Sequence, residues 1–599
     1  MATPNGQSGD PTLVAAMAKT LQNRGPDALR VIAAGDGRAV FAMTTLSIVD
    51  PGYGYGPVVD SDSGVMLTYN GEIYGFRELA AELDIPLSAH ETDTHFLLKA
   101  YLREGLDLLA RIDGMYAAAI HDPRRSATYL VRDRIGQKAV YYRLVDGALH
   151  FGSEVKALLE GPGATLSLPL AVQAVELPVG RPSTPYAGIE LLAPGTVLRY
   201  DHLTGRTGTH VYWDLGTATT TVDVDPADTQ GWIERYARQL AGSVARHRDC
   251  GDQALLLSGG TDSGVLAYLL RPSVCVTVRY PGYPEFDESD RAARIARDVG
   301  ARLVVVEPTA ADFVRTAGRI VTALDYPLGN ASLLPEYLCY RAVAQTGLRV
   351  VSAGVGPDEY LLGYVRHLLA LFGPQDVLDA GFTAYTPLAQ RLRHAGLERA
   401  APRDRYLSLV LRGPDANGTV RSLVHGIFDQ PVRADQAVTL VDQLLSLPAL
   451  LLTADKLSSS FGLERRSPYL SRELLETSFA APARLRAPDA VRTKLLLRAA
   501  ARELGVPEWV VGNADKRGFA SPVPRWLTGE LSAWYDREIT AALTHDLPRD
   551  LAALLHRVRR APAGDRYDRT RTMALLWALW ARGATGLGPA PDDCGTVDG

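Results

Sequence analysis

Ten residues near the middle of the chain, Leu255-Leu256-Leu257-Ser258-Gly259-Gly260-Thr261-Asp262-Ser263-Gly264, combine an apolar run, a loop of small hydroxyl and glycine residues with one carboxylate, and a helix start. A loop of this kind turns backbone N–H groups and hydroxyls toward a phosphate at a helix N-terminus. Asp262 adds a ligand for the Mg²⁺ that accompanies a nucleotide. Ser258, Gly259, Gly260, Thr261, Asp262 and Ser263 are therefore candidate phosphate-site residues, with Gly354, Gly356 and Asp358 in a second glycine-and-carboxylate segment. The first loop is not a Walker A motif, because Gly-Lys-Ser/Thr is missing. His90 and His95, in His90-Glu91-Thr92-Asp93-Thr94-His95, are five positions apart. On a helix they point ~140° apart and do not share a metal simply. Tyr53-Gly54-Tyr55-Gly56 reads as a surface turn.

The elements that must carry these loops follow from periodicity. From about Trp232 onward, apolar strands at Ala254–Leu257, Val274–Val278, Arg302–Val306 and Leu348–Ser352 alternate with helical stretches. That is the pattern of an α/β, doubly wound parallel sheet, which binds ligands beyond the C-terminal ends of its strands. Both loops fall at such ends. Residues 1 to about 200 read instead as an α+β domain, with short strands at Val65–Tyr69, Ala117–Ile120, Thr128–Val131 and Leu149–Phe151 and helices around Phe76–Leu83 and His95–Leu102. The expected organisation is a first domain over 1–215, a Thr/Asp-rich linker over 216–228, a second domain over 229–585 and a disordered Gly/Pro/Asp-rich tail over 586–599.

Composition bounds the remaining options. At 599 residues the chain exceeds a single core. A formal net charge of −5 gives no basic surface for nucleic acid. The longest apolar run, around Leu444–Leu452, is broken by Pro448, so no membrane span is expected. No secretory h-region is visible, and Cys250, Cys275, Cys339 and Cys594 lack metal or disulfide spacing, so a cytoplasmic location is expected. Only seven of the 63 basic residues are lysine, and Lys456, Lys494 and Lys516 fall in one late segment.

In their order along the chain, a set of short motifs resembles the asparagine synthetase family, which includes β-lactam synthetases and lasso-peptide macrocyclases. They are Arg24-Gly25-Pro26-Asp27, Leu46-Ser47-Ile48-Val49-Asp50, Asn70-Gly71-Glu72-Ile73-Tyr74, Thr92-Asp93-Thr94, Asp113-Gly114-Met115-Tyr116, Arg132-Asp133-Arg134-Ile135-Gly136 and Gly152-Ser153-Glu154-Val155-Lys156 in the first half. The second half adds the Ser258–Ser263 loop, Glu285-Phe286-Asp287-Glu288, the Gly354–Glu359 segment, Glu464-Arg465-Arg466-Ser467-Pro468 and Lys516-Arg517-Gly518-Phe519. The resemblance implies an Ntn-type, class II glutamine amidotransferase-like domain followed by an ATP-pyrophosphatase-type synthetase domain. It implies ATP and Mg²⁺ as cofactors, Asp262 and Asp358 as metal ligands, and Lys516 as the cation that stabilises pyrophosphate and the tetrahedral intermediate.

The departures from the family pattern are equally specific. The family's glutaminase uses a cysteine thiol after the initiator methionine, and this chain has Ala2. The arginine that grips the glutamine carboxylate is replaced by Thr45, which cannot form a bidentate ion pair. Asn70, Gly71, Glu72 and Asp93 then read as relics of a glutamine site. The positions that carry the base in asparagine synthetases and lactam synthetases hold Val355 and Arg465, which leaves Glu464 or the substrate itself as candidate base. The expected activity is an ATP-dependent, AMP-forming ligase that joins a small-molecule or peptide carboxylate to an amine without glutamine hydrolysis, in natural-product lactam or amide formation. A lasso-peptide macrocyclase, an ammonia-dependent asparagine synthetase-like enzyme and a non-catalytic scaffold are the alternatives, and a homodimer is compatible with the sequence. Glutamate release from glutamine is expected to stay at the enzyme-free background with or without ATP, measured by a coupled glutamate assay; turnover above background would refute the reading of Ala2 and Thr45.

Overall fold

The structure is a computed structural model that describes the chain apart from residues 5, 49–55, 162–183, 219–221, 329–331, 383–384, 412–417, 514–520, 546, 548, 561–569 and 585–599. The expected tail, the Tyr53–Tyr55 turn and Lys516 lie outside the described residues.

In the N-terminal domain, strands β3 (Val58–Val59), β4 (Met66–Ile73), β5 (Gly114–Asp122), β6 (Ala127–Arg132), β10 (Thr196–Asp201) and β11 (Arg206–Val211) form an antiparallel sheet in the order β11-β10-β6-β5-β4-β3. Its central strands alternate with period two, and both faces are buried. Leu67, Tyr69, Tyr116, Ala118, Ile120 and Val131 pack against helices Phe76–Glu82 and Asp93–Glu104. Met66, Ala117, Ala119 and Leu130 face the opposite layer. That layer comprises β1 (Ala28–Ala33) with β2 (Val40–Thr45), and β7 (Tyr141–Val145) with β8 (Ala148–Gly152) and β9 (Glu190–Leu191). Ala2 joins the two pieces through single bridges to Ala39 and Leu149. Where the family carries its nucleophile, this chain has one fully buried methyl group wedged between two small sheets.

The C-terminal domain holds β12 (Ala254–Leu256), β13 (Val274–Val278), β14 (Arg302–Val306), β15 (Val350–Ser352) and β16 (Glu464–Arg466), all parallel, in the order β14-β13-β12-β15-β16. The sequence reading supplies the first four and misses β16, a three-residue strand of charged residues with no apolar signature. Ala254, Val274, Val276 and Val351 turn one face to helices Ala310–Leu324 and Leu333–Ala344. Leu255, Leu257 and Cys275 turn the other to Thr229–His247, Thr261–Leu270 and Ser289–Val299. The strand order reverses at β12 and β15, so the loops that follow these neighbours flank the crevice of the fold. Part of the expected linker is structured: Leu215–Ala218 is a helical turn, and Val222 and Val224 pack on the second core.

The membrane expectation needs one correction. Ala434–Ser459 is long and apolar enough to cross a bilayer by composition. It consists of two helices, Ala434–Leu445 and Leu447–Ser459, that break at Ser446 and carry the buried Asp435, Asp442, Asp455 and Lys456 inside the protein.

A desolvated ionic cluster joins the two domains. Arg24 binds Glu154 at 2.7 Å and Asp455 at 2.8 Å, and it donates to Ser459 Oγ at 2.7 Å. Lys138 binds Asp455 at 2.9 Å. Lys156 spans Glu154 at 2.5 Å and Asp325 at 3.4 Å, and Lys456 closes on Asp325. Burial alone would raise the Glu154 pKa, but Arg24, Lys456 and Lys156 bring it down to about 2. A carboxylate depressed in this way stabilises the fold above its unfolded value of ~4.3, and the contribution is lost as pH falls toward 2. Breaking one partner of a buried pair costs about 3–5 kcal/mol. Glu154→Gln is therefore expected to lower the thermal midpoint by several degrees at pH 7, with the gap narrowing at pH 3. Equal midpoints at pH 7 would remove Glu154 from the energetics of the interface.

Candidate active site

The Ser258–Ser263 loop leaves β12 and enters helix Thr261–Leu270. Ser263 Oγ accepts from the Ser258 N–H at 3.1 Å, and Ser258 Oγ accepts from the Gly260 N–H at 3.3 Å, which folds the loop over the helix start. Gly259 has φ +78°, and a Cβ there would lie 2.8 Å from the Glu288 carbonyl oxygen, so the turn requires glycine. The second loop presses on the first. A Cβ on Gly354 would lie 3.0 Å from the Ser263 nitrogen, and Tyr469 Oη donates to the Asp262 carbonyl at 2.9 Å.

Asp262 and Asp358 thus converge, and one residue that the sequence reading did not assign sits between them. Lys494 Nζ lies 2.7 Å from Asp262 Oδ2 and 2.8 Å from Asp358 Oδ1. Burial opposes its charge, but the two carboxylates hold its pKa above the ordinary lysine value. Its backbone is left-handed, with φ +57°, a conformation that strains a side chain larger than glycine by roughly 1–2 kcal/mol. The available signal was compositional: only seven lysines are present, and Lys494 is one of three in one late segment. Asp262 Oδ1 is buried and has no hydrogen-bond partner among the described residues. An orphaned carboxylate oxygen facing a second carboxylate fits a divalent cation, and no third His, Cys, Asp or Glu joins them among the described residues. Two carboxylates with phosphate and water oxygens complete the octahedron that Mg²⁺ prefers.

Behind the second loop, Glu359 is buried, and its pKa is pushed up to about 7 by burial and by neighbouring Asp358. It accepts from Tyr364 Oη at 2.6 Å and from the Gly356 N–H at 3.1 Å, fixing the loop that carries Asp358. The Arg366 guanidinium stacks on Tyr364 at 3.8 Å and pairs with buried Asp442 at 2.5 Å. Arg498 donates to the Asn513 carbonyl at 2.9 Å and also to that of Val511, anchoring the chain that leads into the Lys516 segment.

Glu464 is not where its proposed role as base requires it. It opens β16, at the N-terminal end of the strand, whereas the phosphate loops lie beyond the C-terminal ends. Its Oε1 accepts from Arg466 Nε at 2.8 Å, and Arg466 reaches Glu72 of the N-terminal domain at 3.0 Å. Side chains two apart on a strand share a face, so Glu464 and Arg466 both look toward the N-terminal domain. Val355 packs among apolar side chains.

Glu464 instead lines a cavity of 230 Å³ with Asn70, Gly71, Glu72 and Asp93. Asn70 Nδ2 donates to Ser153 Oγ at 3.3 Å, and Asp93 Oδ2 accepts from the Ile73 N–H at 3.1 Å. Asn70, Gly71, Glu72 and Asp93 are therefore assembled around one space, with Thr45 on its wall.

Residues 2–213 match the glutamine amidotransferase domain family, and residues 235–582 match the asparagine synthase family. The chain belongs to the asparagine synthase family. A putative glutamine-hydrolysing asparagine synthetase of Mycobacterium tuberculosis is 27% identical over 97% of this chain and 96% of its own length. Asparagine synthetase 1 of Bacillus subtilis is 26% identical over 89% and 87%, and amidase chyE of Penicillium rubens is 26% identical over 57% and 53%. The asparagine synthase family member described here is an ATP-dependent, AMP-forming carbon–nitrogen ligase.

Lys494→Ala is expected to lower ATP–pyrophosphate exchange by at least ~10²-fold, the usual scale for losing one charged stabiliser. Lys494→Gly should be equally inactive yet more thermostable than Lys494→Ala, because glycine relaxes the positive φ. Near-native exchange in either variant would remove Lys494 from the phosphate site.

Proposed function

We propose that this enzyme adenylates a substrate carboxylate and transfers the acyl group to an amine that does not come from glutamine, forming an amide or lactam. The observation that carries this reading is the contrast between the two halves. Asp262, Asp358 and Lys494 form a complete phosphate-side constellation, while Ala2 and Thr45 replace the nucleophile and the carboxylate clamp of the amidotransferase site.

In the first step a carboxylate oxygen of the substrate attacks the α-phosphorus of ATP, and the bond to the bridging oxygen breaks as pyrophosphate leaves. Asp262 and Asp358 would hold the nucleotide's Mg²⁺, which supplies charge neutralisation for the departing pyrophosphate. Lys494 exchanges its two carboxylate partners for phosphate oxygens, and the Ser258–Ser263 loop offers its N–H groups and hydroxyls. In the second step the amine nitrogen attacks the acyl carbon, and AMP leaves with the electron pair of the C–O bond. Val355 holds no proton and Glu464 faces the other domain, which leaves the substrate itself as the acceptor of the amine proton. Lys516, next to the anchored Asn513, is assigned to the charge of the tetrahedral intermediate.

Asp262→Ala and Asp358→Ala are each expected to abolish pyrophosphate release with the fold retained. Lys516→Ala should still form acyl-adenylate, while amide product falls by at least ~10²-fold. Rapid quench with labelled ATP follows AMP, pyrophosphate and amide separately. Equal losses in all three for Lys516→Ala would place that lysine on ATP binding alone, and near-native turnover in either aspartate variant would refute the metal assignment.

A further inference from the structure

The amidotransferase-like domain retains a built cavity although its hydrolytic chemistry is missing, and the charges around that cavity are unbalanced. Three carboxylates line it: Glu72, Asp93 and Glu464. Arg466 lies between Glu72 and Glu464 and pairs with both. Asp93 has no such partner; its neighbours are the Ile73 and Thr94 N–H groups and the Tyr69 hydroxyl. The two cations on the wall are committed elsewhere, Arg24 to Glu154 and Asp455, and Lys138 to Asp455. The Met1 amine donates to the Val40 carbonyl at 3.0 Å, and burial lowers its pKa to about 5, so it is neutral at pH 7.

A second, independent feature points inward. Thr45 is only 8% exposed and lines the cavity, and its Oγ1 has no hydrogen-bond partner among the described residues. A buried hydroxyl left unmatched is destabilising and is relieved by a ligand that bonds to it. The hydroxyl accepts a hydrogen bond from an ammonium or donates to a neutral carbonyl, but it offers no charge to a carboxylate. The apolar wall includes Met17, Phe41, Val140 and Phe151. At 230 Å³ the space lies below the ~300–1,000 Å³ of drug-sized sites and fits a compact ligand.

We propose that this cavity is a binding site for a small primary ammonium that carries no carboxylate, with Asp93 as its counter-ion and Thr45 as the residue that excludes amino acids. The ammonium donates to Asp93, a neutral polar tail reaches Asn70 and Gly71, and an α-carboxylate is rejected because it would sit desolvated beside Glu72, Asp93 and Glu464, with Arg24, Lys138 and Arg466 already committed to other carboxylates. The inference builds on the loss of glutamine chemistry proposed above, and it is independent of the adenylation half.

The test is titration calorimetry on the full chain at pH 7.5 with three probes: 4-aminobutanamide, butanamide, which lacks the amine, and L-glutamine, which adds the carboxylate. 4-Aminobutanamide is expected to bind at least tenfold more tightly than either of the others. Asp93→Asn should cost at least tenfold for 4-aminobutanamide and nothing for butanamide, and Thr45→Arg should reverse the preference toward glutamine. Because the probe comparison is made on the native sequence, a misfolded variant leaves it intact. Glutamine binding as tightly as 4-aminobutanamide, butanamide matching it, or no heat from 4-aminobutanamide at 10 mM would each overturn the proposal. Glutamate is assayed in the same samples. Its release would overturn the reading of the N-terminal domain in the preceding subsection as well, whereas absent amine binding without glutamate release overturns this inference alone.

Discussion

Two carboxylates brought together in a dry crevice repel each other, and the C-terminal half of this protein is arranged around the cation that makes their approach tolerable. Asp262 and Asp358 come from loops on neighbouring strands, and Lys494 bonds to both from a third segment. Charges this close interact by several kcal/mol at the effective dielectric of a protein interior. The same attraction explains why Lys494 tolerates a left-handed backbone and why Gly354 must bring its loop against Ser263.

A second charge balance accounts for the persistence of the N-terminal domain. Three of the seven lysines, Lys138, Lys156 and Lys456, together with Arg24, neutralise Glu154, Asp325 and Asp455 across the domain boundary. Removing the N-terminal domain would strip Asp455 of Arg24 and Lys138 and leave Asp325 with Lys456 alone, a penalty characteristic of broken buried ion pairs. The N-terminal domain therefore has a structural role that does not depend on the residue at position 2.

The walls of the N-terminal cavity are fixed by strand pairing, whatever occupies the space. The β4–β5 pairing fixes Asn70 and Gly71 opposite Ala117 and Tyr116 whatever the chemistry at residue 2. Thr45 brings a neutral hydroxyl to the wall, beside the carboxylates Glu72, Asp93 and Glu464, and Arg466 pairs with Glu72.

Much of this was legible in the sequence. The period-two and βα patterns gave both domain classes, with Val274–Val278 and Arg302–Val306 matching their strands, because the first is buried on both faces and the second, at the sheet edge, still carries a continuous Leu-Val-Val-Val run. The Ser258–Ser263 turn between β12 and its helix was also local, since a glycine-rich turn at a strand end is written in consecutive residues. Three things were not local. β16 consists of Glu464-Arg465-Arg466, which has no apolar content and becomes a strand only by pairing with β15. Glu464 was a candidate base because Val355 and Arg465 occupy the positions where the family carries one, but strand direction sends it to the other domain. Lys494 lies 232 residues from Asp262, and only the folded sheet brings them to 2.7 Å. The sequence determined which chemical groups were present and which were lost; the tertiary structure decided which of them share a space, because charge pairing and strand register act between residues that the chain order keeps far apart.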